Sequence, residues 1–179
     1  MTINACQLVS SAVIHNLIHL PSLESLSLSD CAASKHLPAC VSRLTNLREL
    51  NLGGHQISDS QLTHVSTLTN LEALTLWGNE LTQASMKCVV PLERLTRLDV
   101  SWTYVSHPPP LPTLKHLDLK DCEVGGDWQG TYAMYMSEHG LAPLTGLTHI
   151  NMSNSRFECF MLTQVCSLYV FCKIFRQLS

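Results

Sequence analysis

Charge is scarce in this sequence and is nowhere concentrated. Only 14% of its 179 residues are charged, the net charge is −3, and the 11 Lys and Arg residues are scattered singly. With no basic run or stripe to follow a phosphate backbone, a nucleic-acid partner is not expected. The eight cysteines, at 6, 31, 40, 88, 122, 159, 166 and 172, include no Cys-x-x-Cys and none of the close pairs that staple small secreted domains. Reduced thiols in a cytoplasmic or nuclear protein fit that spacing. The opening Met1-TINACQ carries no basic region, and His15, Asn16 and His19 interrupt the apolar positions after it, so no secretory leader is expected. No apolar run reaches the roughly 20 residues of a membrane-spanning helix. Gly53-Gly54 and Gly125-Gly126 lack a following Lys-Ser/Thr, which leaves no phosphate-binding loop. What is plentiful is apolar side chain, at 45%, enough to fill the core of one domain or one short repeat array.

Those apolar residues recur with a fixed phrase. L-x-x-L-x-L-x-x-(N/C) begins at Leu23, Leu47, Leu71, Leu95 and Leu114, with a last copy, Leu147-THINMSN-Ser155. The first leucines advance by 24, 24, 24, 19 and 33 residues, the self-similarity of a stacked architecture. Within each phrase Leu26/Leu28, Leu50/Leu52, Leu74/Leu76, Leu98/Val100, Leu117/Leu119 and Ile150/Met152 alternate with polar residues, which is the period of a half-buried strand. One such strand cannot bury its face alone. Stacked copies give a parallel sheet with one strand per repeat, about 4.8 Å apart.

At the ninth position the chain turns away, and the side chain there must satisfy backbone groups that the turn leaves unpaired. Asn79 suits this best, with both donor and acceptor; Cys31, Thr103, Cys122 and Ser155 donate more weakly, and His55 is the outlier. Two residues on, Ile57, Leu81, Val105, Val124 and Phe157 supply one more inward apolar position.

On these phrases, over roughly residues 8–157, the chain resembles the leucine-rich-repeat family. The 24-residue spacing, Leu68-TN-Leu71 and Leu98-DVSW-Thr103 are similar to plant and green-algal intracellular members. The resemblance implies an α/β solenoid, a right-handed horseshoe with about six parallel strands on its concave face. Short helices, loops or a polyproline rung would return along the convex face. It implies a binding scaffold and no activity.

The returns differ. Ile57-SDSQ-Leu62-TH-Val65-ST-Leu68 has helical apolar spacing with Ser58 or Asp59 as cap, and Leu81-TQASMKCVVPLERL has Thr82 as cap and Pro91 as stop. Leu37-PACVSRL allows one turn at most. Ser106-HPPPLP-Thr113 excludes a helix, because its four prolines lack the donor and clash with the preceding turn. An extended rung there explains the 19-residue interval. Pro109-PL-Pro112 also matches a P-x-x-P ligand, but the structural role suffices. Residues 125–140 form an insertion rich in Trp128, Tyr132, Met134, Tyr135 and Met136, which either packs back onto the solenoid or adds a contact. Residues 1–20 read as a helical return and partial cap, with Val9, Val13, Leu17 and Leu20 in one stripe; 21–157 is the solenoid. The apolar tail at 158–179 has three readings: sequence foreign to the repeat, a cap, or an anchor, in that order. Uncapped ends would let the chain belong to a longer array or self-associate.

The third and fifth positions of each phrase face outward: Ser25/Ser27, Glu49/Asn51, Ala73/Thr75, Arg97/Asp99, His116/Asp118 and His149/Asn151. Trp77 and Trp102, at the seventh and eighth positions of their phrases, stand near Arg97. Exposed tryptophans beside an arginine are the material of binding hot spots; the alternative is that they cover strand ends between repeats. Trp77, Arg97, Asp99, Trp102, His116 and Asp118 are therefore the candidate partner-binding residues. Asp99, Ser101, His116 and Asp118 offer no oxyanion site, so no catalytic role is expected. His15-x-x-x-His19 lacks a third ligand for a metal, and no cofactor is expected. The sequence thus reads as a non-enzymatic, cytoplasmic protein-interaction scaffold in signal transduction. The alternatives are the recognition arm of a ubiquitin ligase, a fragment of an immune-type receptor, or an orphan product. A membrane partner is not expected.

Overall fold

A computed structural model describes residues 2–4, 16, 19–20, 22–29, 37–105, 109–122 and 146–155. Each leucine phrase places a three-residue strand where its apolar alternation begins. The strands are β2 (Ser25–Ser27), β3 (Glu49–Asn51), β4 (Ala73–Thr75), β5 (Arg97–Asp99), β6 (His116–Asp118) and β7 (His149–Asn151). Thr2–Asn4 forms a further strand, β1, and the described strands make one sheet in chain order, β1 to β7. All neighbours are parallel and in register, Leu26 beside Leu50, Leu74, Leu98, Leu117 and Ile150. The sheet therefore has seven strands where the repeat count suggests six. Residues 2–4 belong to it and not to a helical return, since β1 pairs with β2 from Thr2 beside Ser25 to Asn4 beside Ser27. Of the expected N-terminal stripe, Val9, Val13 and Leu17 lie outside the described residues, as do Cys31, Val124, the 125–140 insertion, Phe157 and the tail. Leu20 is half-buried and packs on the core.

The core is the leucine ladder itself. Leu47, Leu52, Leu71, Leu76, Leu95, Val100, Leu114 and Leu119 are fully buried, as are Ile57, Leu81 and Val105 two residues after the turn. Each such side chain contributes roughly 1.5–3 kcal/mol by leaving water. Parallel pairing runs past the strands: Leu52, Leu76 and Val100 donate to Thr75, Asp99 and Asp118 at 2.9, 2.8 and 3.0 Å.

The ninth positions close the turns. Asn79 Oδ1 accepts the backbone N–H groups of Ile57 (2.9 Å) and His55 (3.2 Å), while Nδ2 donates to the carbonyls of Leu52 and Leu76 at 2.8 Å each. His55 Nε2, Cys122 Sγ (3.2 Å) and Ser155 Oγ reach the carbonyls of Leu28, Val100 and Leu119 in the preceding repeat. Thr103 Oγ1 donates within its own repeat, to Val100 O at 2.5 Å. His55 thus replaces asparagine by length, at the cost of a buried Nδ1 with no hydrogen-bond partner.

On the other side, Leu37–Val41 makes one helical turn. Asp59–Leu62 is α-helical from an N-cap at Ser58, whose N–H donates to Gln61 Oε1 at 2.9 Å. Thr63–Thr67 and Gln83–Cys88 are 3-10 helices, the second capped by Thr82, which accepts from Ala84. The tighter winding follows from hydroxyls that bond back three residues: Thr63 to Ser60 and Ser66 to Thr63, both 2.7 Å, and Ser85 to Thr82, also 2.7 Å. The second helix stops at Cys88, short of Pro91. Residues 109–112 carry no helix, as their prolines require.

Candidate interaction surface

With the central residue of each strand turned inward, its flanking residues form two rows on the opposite face. One row runs Ser25, Glu49, Ala73, Arg97, His116, His149, and the other Ser27, Asn51, Thr75, Asp99, Asp118, Asn151. The outward assignment of these pairs holds across β2–β7. Ala73, between Glu49 and Arg97, is too short to interpose. Arg97 Nη2 therefore reaches over it to Glu49 Oε1, 3.0 Å away and two strands distant. Both partners are more than half exposed, so the pair orients the guanidinium more than it stabilises the fold.

Over β4–β7 the rows sink into an open depression of about 650 Å³, lined by Arg97, Asp99, His116, Asp118, His149 and Asn151 among others. Four of the six candidate residues thus come together. Asp99 and Asp118 sit side by side, and each spends Oδ1 on the backbone N–H two residues on, Ser101 at 3.0 Å and Lys120 at 2.9 Å. Asn51 and Asn151 make the same turn with Gly53 and Ser153. The second oxygen of Asp118 accepts from Asn151 Nδ2 at 3.0 Å. Burial pushes the Asp99 carboxyl above its ordinary range; the Ser101 hydrogen bonds oppose this and the Asp118 charge adds to it. The Ser101 hydroxyl donates to Asp99 Oδ1 at 2.6 Å, so it is oriented toward a carboxylate and not toward an imidazole base.

His116 and His149 are stacked, ring centroids 4.4 Å apart and 12° from parallel. Desolvation lowers the His116 pKa first, and the nearby His149, Arg97 and Lys115 lower it further. The depression is therefore a mixed surface: a fixed cation, two carboxylates and paired imidazoles that can donate or accept. His149 belongs to it although only His116 was singled out by sequence. Its position in the phrase, the same as that of Arg97 and His116, was the available signal.

The two tryptophans part company with these four and with each other. Trp77 lies across Gly53 so closely that a Cβ there would overlap the indole, which is the strand-covering role. Trp102 is 59% exposed, with Lys120 Nζ 5.9 Å from its ring centre. Its backbone explains its placement. Gly54, Gly78, Trp102, Asp121 and Asn154 occupy the eighth position of successive phrases, and all have positive φ, from 50° to 76°. Glycine, Asn and Asp accept that left-handed turn, whereas a bulky residue pays roughly 1–2 kcal/mol for it. Tyr104, 51% exposed, stands nearby and was not among the sequence candidates.

The model for the family described as "Leucine Rich repeat" matches residues 43–60 and 111–127. No curated protein matches the chain. Among solved structures, an internalin (inlF) from Listeria monocytogenes superposes with a TM-score of 0.58 at 18% identity, over 85% of this chain and 45% of its own. Internalin C2 (inlC2) from the same organism gives 0.56 at 21%, over 84% and 69%. The TLR13–ssRNA13 complex gives 0.54 at 23%, over 82% and 20%. The chain thus corresponds to about half the length of the first of these and a fifth of the last. At such identities the likeness is one of fold. Repeats, register and neighbours agree: this chain carries leucine-rich repeats and folds as a leucine-rich-repeat horseshoe.

Proposed function

We propose that the chain is a protein-interaction scaffold that takes its partner on the concave face of β5–β7, with Arg97, Asp99, His116 and Asp118 at the centre of contact. The observation that carries this is the convergence of those four side chains in one open depression of about 650 Å³. A parallel sheet of stacked repeats presents such an extended face to macromolecules. Its charges are of both signs within one patch, a pattern suited to a protein surface and ill suited to a phosphate backbone. The Ser101 hydroxyl, engaged by Asp99, supports a surface that holds and does not transform. Trp102 joins the contact from the rim, while Trp77 packs on Gly53, one repeat away from the centre of contact. A cytoplasmic setting and a signalling role belong to the same reading; the unpaired thiols of Cys40, Cys88 and Cys122 fit the setting. Plant or green-algal kinship rests on the 24-residue spacing and the phrases Leu68-TN-Leu71 and Leu98-DVSW-Thr103. The narrower forms, a ubiquitin-ligase arm or an immune-receptor fragment, would use this same face.

The test is a photo-crosslinking amino acid placed at Thr75 on the sheet face or at Thr67 on the exposed return side, with native lysate as the source of partners. A discrete protein adduct is expected from position 75, absent at 67 and lost on Arg97→Glu/Asp118→Lys. Adducts from 67 alone, or an adduct at 75 that survives the charge reversals, would overturn the placement.

A further inference from the structure

Beyond the C-terminal ends of the strands lies a second cleft, of about 530 Å³, which shares none of its lining residues with the sheet-face depression. Trp102 and Tyr104 form its apolar part, and Glu80 and Asp121 its charged part; no cation lines it among the described residues. We infer that this rim cleft binds an arginine side chain of an extended peptide segment, the guanidinium stacking on Trp102 with Glu80 and Asp121 as counter-charges.

Three features converge on that chemistry. The first is backbone strain at an exposed residue. Trp102 holds φ at 58° where its counterparts are Gly54, Gly78, Asp121 and Asn154, and it covers no core, being 59% exposed. Strain retained at a surface aromatic that packs so little points to a use for the ring. The second is an unmet acceptor. Asp121 Oδ2 is buried without a hydrogen-bond partner, and Lys120 Nζ, at 3.9 Å, is too distant to donate. The third is the placing of that same ammonium, 5.9 Å from the Trp102 ring centre. The chain's own cation already takes up the ring-and-carboxylate relation that a ligand would complete. Lysine would supply a point charge; guanidinium adds a flat face for the indole and several donors in a fixed fork, so it can stack on Trp102 with the Glu80 and Asp121 charges beside it.

The experiment is a titration of the full chain with N-acetylated Gly-Arg-Gly amide, its citrulline counterpart serving as the neutral isostere. The indole N–H resonance of Trp102, assigned by its loss in Trp102→Asn, is followed by NMR. A saturable shift is expected with the arginine peptide, about fivefold weaker or absent with citrulline. Asp121→Asn keeps the left-handed turn and should weaken binding about threefold, as should Glu80→Gln. Trp102→Asn should abolish binding, read from the peptide's own resonances, while its circular dichroism stays unchanged. No saturable shift, equal shifts from the two peptides, or affinity unaltered by both carboxylate variants would overturn the assignment. Because the readout is local and the ligand defined, failure here leaves the sheet-face proposal standing, and the reverse holds.

Discussion

Two adjoining stretches of the same ladder meet the same turn with different materials. At Leu47 and Leu71 the eighth position is Gly54 and Gly78, and the ninth is His55 and Asn79, the latter with four hydrogen bonds under 3.3 Å. At Leu95 and Leu114 the eighth is Trp102 and Asp121, both in the left-handed region, and the ninth is Thr103 and Cys122. The first stretch is relaxed at its glycine eighth positions and closed by Asn79, although His55 leaves Nδ1 without a partner and Gln56 has a φ of 54°. The second is strained and more weakly capped, and it carries Arg97, Asp99, His116 and Asp118 on its strands and Trp102 and Tyr104 on its rim. Turn positions that elsewhere serve the backbone alone are, in the second stretch, given to side chains that face solvent. The repeat tolerates this because its leucine core is unchanged across both.

The contrast can be broken at its strongest point. Asn79→Ala removes two buried acceptor contacts and two donor contacts at once, and should destabilise by about 3 kcal/mol. Thr103→Ala should cost only about 1 kcal/mol, since its main bond stays within its own repeat. Urea midpoints of the two variants decide the matter; equal losses would mean that the stretches are capped equally well. Next in size is Gly53→Ala. Its methyl would meet the Trp77 indole, so a loss of about 1–2 kcal/mol is expected, with Trp77 fluorescence shifting to the red as the ring is expelled. A neutral outcome would show that the indole is free to leave and does not seal the strand end.

Much of this was legible in sequence, for one reason: spacing survives the departures from it. The six leucine phrases locate β2–β7, and the 33-residue interval leaves His149 in register with His116. Ser58 and Thr82 mark caps because their chemistry is local. β1 escaped because Thr2–Asn4 follows no leucine phrase. Trp77 and Trp102 do not line the depression that holds Arg97. The two sit at different points of the turn, and only the eighth-position alignment of Gly54 and Gly78 with Trp102 reveals a left-handed residue. The paired turns at Asn51, Asp99, Asp118 and Asn151 were visible as a repeated Asn/Asp column, but a carboxylate there reads equally well as a binding group.

Trp102→Asn sharpens the comparison from the strained side. It gives the turn a residue that its sister Asn154 already supplies at φ 57°. Relief of the backbone should outweigh the lost Lys120 contact, raising stability by about 0.5–1 kcal/mol. A thermal midpoint that falls would show that the ring packs more firmly than its exposure implies, and the stretch would then be no more strained than its neighbour.

The smallest effect expected is also the most specific. Asp99 has its carboxyl raised by burial, so the folded state favours the protonated form more than the unfolded state does. Its contribution is full below the ordinary carboxylate range and is lost as pH rises through the folded value. Asp99→Asn keeps the turn to Ser101, as Asn51 and Asn151 do in their own repeats, and removes the charge. The variant should gain roughly 0.3–0.5 kcal/mol at neutral pH, and the gain should vanish as pH falls through the carboxylate range. Paired melts across that range would show two curves converging on the acid side. Curves that run parallel would mean that the carboxylate is held equally well in both protonation states, and that the charge on β5 costs the fold nothing to keep.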